Sequence, residues 1–241
     1  MRTVVVSLCW GTAWDRYGKN FVETFHRYWP ANVHLMMVSD RAVPLPRGEI
    51  VDLFAIEGFY EFHGRWDNNR RAKGLDAPTG SKVDDNGYSW KFDAIKWMPQ
   101  ALAPVGALQS LADGDIICWF DADVVTTRPV PDNWVQSLLE ERDIAMLQRG
   151  RTHSEIGFYA VRVGTRTRQL LRRFADFYRT DDVFALKEWH SAYVFDRALE
   201  FFPDITVNNL NRDNGKGHVW PRAHELSRYT AHLKGKRKDK R

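Results

Sequence analysis

The stretch TVVVSLCWG at residues 3–11 is an unbroken apolar run that ends in a glycine. Such a run is typical of a strand buried on both faces, as in a parallel sheet covered by helices. Aromatic residues then recur at helical spacing before a proline: Tyr17, Phe21, Phe25 and Trp29. This spacing predicts an amphipathic helix, and VHLMMVSD at 33–40 predicts a second strand. The order strand, helix, strand implies a parallel pair joined by a right-handed crossover, so we expect an α/β fold.

The remaining apolar runs extend this pattern to a mixed, mostly parallel central sheet flanked by helices. Further strands are predicted at 115–120, 143–148, 157–163 and 204–210. Further helices are predicted at 90–102, with a break around Pro99 and Pro104, at 165–178 and at 188–202. Residues 58–89 are rich in Gly, Asn, Asp and basic side chains and predict a long polar loop, which is usually functional or disordered. We expect a single domain over 1–233, followed by a basic tail at 234–241.

Composition restricts the class of protein. The chain has 241 residues, 44% of them apolar, which is enough for one substantial core. No run approaches the roughly 18 apolar residues that cross a bilayer, and the apolar run after Met1 is too short for a cleaved signal. We therefore expect no transmembrane segment and a cytoplasmic location. Cys9 and Cys118 both lie in apolar strand-like runs, which favours inert, buried thiols over a disulfide or a metal knuckle.

The excess positive charge of the chain lies in its C-terminal tail. The formal charge is +4, and the tail KGKRKDKR at 234–241 carries +5, so the rest of the chain is near −1. This argues against a protein that is basic over its whole surface, and no nucleic-acid partner is expected.

A pair of acids follows the predicted strand at 115–120. Asp121 and Asp123 have i, i+2 spacing, so both side chains face one side if the strand geometry continues. Asp113 and Asp115 have the same spacing but precede the strand, where Asp-Gly is ordinary turn composition. Ligands of open α/β sheets bind beyond the carboxyl ends of the strands, which favours the second pair. Two adjacent carboxylates repel each other unless a cation lies between them, and hard oxygen ligands select Mg²⁺ or Mn²⁺. A turn that closes the strand is the alternative.

With this Asp-X-Asp pair the sequence resembles the GT-A glycosyltransferases, whose acids hold a divalent ion against the diphosphate of a nucleotide-sugar. HLKGKRK at 232–238 resembles the His-X-X-Gly-X-X-Lys signature of glycosyltransferase family 8 and its relatives. The resemblance implies a Rossmann-like GT-A domain. It also implies that His232 is the third metal ligand beside the two aspartates, that Gly235 contacts the diphosphate through its backbone, and that Lys238 binds a phosphate.

Three further segments match the family in order along the chain. In SWKFDAIKW at 89–97 the resemblance assigns donor contact to Lys91, for which a solvated surface lysine is the alternative. SEIGFYAVR at 154–162 corresponds to an acceptor-side segment, with Glu155 as the candidate carboxylate or base. EWHSAYVFD at 188–196 stands where the family has polar residues near the reacting sugar carbon. Its candidates are Glu188 and His190, which could also be the polar side of a helix.

Two residues near the first strands are further candidates for donor binding. Tyr17 could stack on a nucleobase or pack in the core with the other aromatic residues of its stripe. Asp40 ends the second predicted strand and could contact the ribose or base, or only form a turn.

Together these features predict a metal-dependent glycosyltransferase. It would transfer a hexose from a nucleoside diphosphate, expected to be UDP, to the hydroxyl of a glycan, protein or small-molecule acceptor. The resemblance implies retention of configuration, whereas Glu155 beside the acceptor hydroxyl would allow inversion by general base catalysis. Two alternatives are a nucleotidyltransferase of the same fold and a nucleic-acid-binding protein that uses the basic tail and residues 65–74.

Overall fold

Strands at the centre of the molecule form one sheet. The computed structural model describes residues 1–150, 152–212 and 218–233. Within these ranges seven strands pair in the order β3-β2-β1-β4-β7-β6-β8. The strands are β1 (Thr3–Cys9), β2 (His34–Ser39), β3 (Glu49–Asp52), β4 (Ile116–Phe120), β6 (Ile144–Leu147), β7 (Glu155–Arg162) and β8 (Val207–Asn209). A separate two-stranded sheet pairs β5 (Val124–Thr126) with β9 (Thr230–His232).

The helices cover both faces of this sheet. They are α1 (Lys19–Tyr28), α2 (Phe59–Trp66), α3 (Ala94–Leu108), α4 (Trp134–Leu139), α5 (Thr165–Arg179), α6 (Ser191–Leu199) and α7 (His224–Ser227). Val4 and Val6 of β1 pack with α2, α3, α5 and α6 in one core cluster, whereas Val5 and Cys9 pack with α1, α4 and α7 in the other. Because successive strand residues point to opposite faces, the unbroken apolar run serves both cores. The predicted α/β class, with one Rossmann-like unit, is confirmed.

The strand order reverses beside β1. The chain builds outward from β1 through β2 to β3 in parallel, and then returns to place β4 in parallel on the other side of β1. Strand β7 is antiparallel to β4 and to β6, which makes the sheet mixed. The carboxyl ends of β1 and β4 therefore form a topological switch point, which is where open α/β sheets bind their ligands.

Several boundaries differ from the sequence prediction. Residues 58–89 are not one long loop, because they contain α2, whose Phe59 and Phe62 are buried. Helix α3 runs through Pro99 and Pro104 to Leu108, since burial of its apolar side chains outweighs the roughly 3 kcal/mol that an interior proline costs. Helix α6 begins at Ser191 rather than at 188.

Candidate metal centre

The two aspartates lie in a turn at the switch point. The strand geometry that the sequence prediction assumed does not continue, because β4 ends at Phe120 and the N–H of Val124 donates to the carbonyl of Asp121 at 2.9 Å. The N–H of Asp121 donates to the carbonyl of Gly157 at 2.9 Å, so β7 holds the start of the turn. The Asp-Ala-Asp segment thus connects the large sheet to β5.

The pairing of β5 with β9 brings His232 to this turn. His232 lies opposite Val124 in an antiparallel register, and its Nε2 is 2.9 Å from Oδ1 of Asp123. One potential ligand atom from each of Asp121, Asp123 and His232 lies within 4.8 Å of the other two. We call these three residues the triad. Their convergence from positions more than a hundred residues apart agrees with the placement that the sequence resemblance implied.

The surroundings of Asp121 favour a cation. Its Oδ1 accepts hydrogen bonds from Nε2 of Gln100 at 2.7 Å and from Nε1 of Trp119 at 3.1 Å. Burial, and then repulsion from Asp123, raise the pKa of Asp121 to about 7. A divalent ion would relieve both penalties, since it supplies positive charge where water is excluded.

The imidazole of His232 suits the same role. The ring is buried, and its Nδ1 has no hydrogen-bond partner within the ranges that the structure describes. Two carboxylates and one imidazole are the ligand types that Mn²⁺ takes readily and Mg²⁺ less so. The triad therefore fits the metal that the sequence predicted.

Gly157 makes room for the His232 ring. A Cβ at this position would lie 2.6 Å from Cε1 and 3.0 Å from Nδ1 of His232, and 3.2 Å from Oε1 of Glu155. Any larger residue would displace the histidine or the carboxylate. The sequence prediction quoted this glycine only within the acceptor-side segment and assigned it no role, because a close approach between β7 and β9 leaves no local signal.

Two of the cavities at this edge of the sheet are lined by both aspartates of the triad. The larger, of about 860 Å³, is lined by all three triad residues together with Trp90, Arg149 and Glu155. The smaller, of about 310 Å³, opens at the carboxyl end of β1 and is lined by Trp10, Tyr17 and both aspartates. We call them the large cavity and the small cleft. Lys96, Trp97 and Gln100 line both, so the start of α3 forms the wall between them.

Several predicted donor residues are placed by this geometry. Tyr17 is half-buried; it packs against the core and also lines the small cleft, so the core contact is present and stacking on a nucleobase stays a prediction. Asp40 accepts from the N–H of Gly11 at 3.0 Å and pairs with Arg41 at 3.0 Å, which agrees with the turn alternative. Gly235 and Lys238 lie outside the described residues.

Lys91, Glu188 and His190 form a hydrogen-bonded chain beside the large cavity. Nζ of Lys91 is 2.6 Å from Oε1 of Glu188, and Oε2 of Glu188 is 2.9 Å from Nε2 of His190. The alternative that Glu188 and His190 lie on the polar side of a helix is wrong, because both precede α6 and His190 is buried at its N-terminus. There Nδ1 of His190 accepts from the N–H of Tyr193 at 3.3 Å.

This chain also contains a second group of metal-ligand types, in which His153 lies near Glu188 and His190. The two carboxylate oxygens of Glu188 already have hydrogen-bond partners. Burial acts to raise the pKa of Glu188, but the hydrogen bonds with Lys91 and His190 outweigh it, so the pKa is lowered. Burial lowers the pKa of His190 to about 3, and both of its ring nitrogens have protein partners. A cation here would also face the Lys91 ammonium. The second group is therefore a structural network, and the triad is the better metal site.

Several residues at the site were not predicted. Lys96, Trp97 and Gln100 share one face of the first turns of α3, which begins at the Asp93 cap. Positions 96, 97 and 100 lie on one face of a helix that begins after Asp93, so helical spacing could have grouped them once that start was known. Other unpredicted residues of the large cavity include Trp90, in the turn before α3, and Arg149 and His153, in the connection from β6 to β7.

Comparison with known proteins does not identify a family for this chain. No protein-family model matches the chain, and no curated protein matches it. In the described part of the chain, no helix has both the length and the apolar character needed to span a bilayer.

Proposed function

We propose that this protein is a metal-dependent glycosyltransferase that moves a sugar from a nucleoside diphosphate, most simply UDP, to an acceptor hydroxyl. The observation that carries the proposal is the convergence of Asp121, Asp123 and His232 at the switch point, between two cavities. The donor and the acceptor of a transfer reaction each need a binding site, and the bond that is broken must lie at the boundary between the two sites. Asp121 and Asp123 line both cavities and His232 lines the large one, so a metal held by the triad would lie at that boundary.

The small cleft suits the nucleoside of the donor. It lies at the carboxyl end of β1, where α/β sheets bind nucleotides, and Trp10 and Tyr17 offer aromatic faces for a base. Lys96 lines both the cleft and the large cavity, and we assign it to the diphosphate that would pass the triad. A divalent ion bound by the triad would act as a Lewis acid that stabilises the charge on the departing diphosphate.

The protein side chains would orient the reacting groups. Gln100 and Trp119 hold one oxygen of Asp121, which leaves the other for a ligand. Glu155 lines the large cavity, with its Oε1 4.0 Å from Nδ1 of His232. We assign Glu155 to the acceptor side. In a retaining reaction no enzymic base is required, whereas in an inverting reaction Glu155 would take the proton of the acceptor hydroxyl.

The test is metal-dependent donor binding and turnover. Thermal unfolding is measured with UDP-, GDP-, CDP- and TDP-sugars, with and without Mn²⁺. A ligand at about 100 times its Kd stabilises the native state by about 2.7 kcal/mol, or roughly 5–10 °C for a chain of this size. Hydrolysis of the donor that stabilises the protein is then measured through the release of free sugar.

Asp121→Asn and Asp123→Asn should each abolish the Mn²⁺-dependent shift and the hydrolysis. Asp113→Asn is the matched control, because Asp113 has the same spacing to Asp115 but lies before β4 and pairs with Arg168. The proposal fails if no donor is bound in a Mn²⁺-dependent way, or if the triad variants behave like the wild type. Transfer of the nucleotide rather than the sugar would support the nucleotidyltransferase alternative. Salt-dependent binding of an oligonucleotide that survives Asp121→Ala would support the nucleic-acid alternative.

A further inference from the structure

Trp90 is an exposed aromatic residue at the mouth of the large cavity. It begins a short 3₁₀ turn, Trp90–Phe92, just before α3, and 41% of its surface is exposed. Most of the chain's large aromatic residues are instead buried, and Trp90 lines the cavity together with the triad. Trp is enriched at binding interfaces, because its indole offers a large apolar face and a polar N–H.

The indole is held in place without any ligand. The backbone carbonyl of Trp90 accepts from Nε1 of Trp97 at 2.6 Å. The centroid of the Trp90 ring lies 4.8 Å from that of His190, at an interplanar angle of 50°. His190 is itself fixed by Glu188 and by the backbone of Tyr193. The network beside the cavity therefore gives Trp90 a rigid support, which reduces the entropy lost when a ligand binds.

The polar lining of the large cavity suits a neutral, hydroxyl-rich ligand. Two cations, Lys96 and Arg149, lie among three acids: Asp121, Asp123 and Glu155. Burial lowers the pKa of His153 to about 4, so this imidazole adds no charge at neutral pH. The lining offers no excess of cations that would attract a phosphate polymer. It does offer donors and acceptors in a small space, which is the pattern that orients a polar ligand.

We propose that the acceptor is a carbohydrate and that Trp90 is the stacking platform of its subsite. One face of a pyranose carries C–H groups of slight positive charge, which pack on the negative face of an indole. Its hydroxyls would then reach Arg149, His153 and Glu155 across the cavity. This assignment rests on the proposed function, and it selects sugar from the glycan, protein and small-molecule acceptors that the sequence left open.

The experiment measures binding of acceptor sugars directly. Saturation-transfer NMR titrations use methyl β-glucoside, methyl β-galactoside, lactose and maltose, with the full chain in UDP and diamagnetic Mg²⁺, because paramagnetic Mn²⁺ would broaden the sugar resonances. An oligothymidylate and a serine-containing peptide are the non-sugar probes. We expect at least one sugar to bind the wild type. Trp90→Ala should weaken that binding about two- to twelvefold, because an aromatic contact contributes about 0.5–1.5 kcal/mol, and Trp90→Phe should restore most of it.

Tyr60→Ala is the matched control. Tyr60 is also exposed, at 64%, but it lies on α2 and stacks on Phe54, so its removal should leave sugar binding unchanged. Binding of Mn²⁺ and UDP by Trp90→Ala verifies that this variant is folded. The inference is overturned if no sugar of the panel binds, if Trp90→Ala binds sugar as tightly as the wild type, or if only a non-sugar probe binds through Trp90. Donor hydrolysis by the wild type tests the proposed function separately, so the two failures are distinguishable.

Discussion

Replacement of Gly157 by alanine tests the geometry of the triad most directly. The added Cβ would lie 2.6 Å from Cε1 of His232, whereas ordinary contact begins at 3.4 Å, so the ring must move by about 0.8 Å. The ring has little room, because Trp220 lies 4.9 Å away, centroid to centroid, and only 4% of His232 is exposed. Overpacking of this kind costs about 1–3 kcal/mol of stability.

The same displacement should weaken metal binding. Nε2 of His232 is 2.9 Å from Asp123, so a shift of the ring moves one ligand atom relative to the others. Changes that disturb the orientation of a metal ligand typically cost about 10- to 100-fold in affinity. We therefore expect the Kd of Gly157→Ala for Mn²⁺, measured by isothermal titration calorimetry, to rise by that factor. Urea unfolding of the same samples measures the stability.

Gly64→Ala provides the control for a glycine substitution. Gly64 lies inside α2, and a Cβ there would meet nothing within 4 Å. Alanine should stabilise the protein by about 0.4–1 kcal/mol and leave the Mn²⁺ affinity unchanged. If Gly157→Ala binds Mn²⁺ as tightly as the wild type, the His232 ring is not a metal ligand and the reasoning is refuted.

Two further predictions concern buried titratable groups. His190 is buried, and burial lowers its pKa from 6.5 to about 3. Between pH 6.5 and pH 4 this side chain is therefore protonated in the unfolded chain but not in the native state. As the pH falls through this range, the free energy of unfolding should decrease by up to about 1.4 kcal/mol per pH unit. His190→Asn, which keeps a capping acceptor for α6, should reduce that slope by one proton in urea unfolding across this range, and an unchanged slope would show that His190 is not the group responsible. Burial raises the pKa of Cys9 to about 12 and also raises that of Cys118, so neither thiol should react with Ellman's reagent at pH 8 until the protein is unfolded. Rapid labelling of the native protein would contradict the buried placement of both strands.

Features that depend on near neighbours in the chain were predictable. The apolar run of β1 and the aromatic spacing before Pro30 predicted the first strand, helix and parallel strand, because one periodicity places side chains on one face of one element. The position of Asp121 directly after a buried strand predicted a site at the edge of the sheet. The short elements β3, β5 and α4 were missed, since three to six residues carry too little periodicity to be recognised.

The composition of the site was decided by tertiary structure. His232 looks like an exposed residue of a lysine-rich tail when the chain is considered alone, and only its resemblance to a known motif placed it near the acids. It meets Asp123 because β9 pairs with β5. The resemblance assigned donor contact to Lys91, which stays a prediction, and only the structure shows that Lys91 pairs with Glu188, about a hundred residues away. Local sequence determines which face a side chain occupies, but its partner depends on how distant elements pack, and that outcome is a sum over many weak contacts that no short segment encodes.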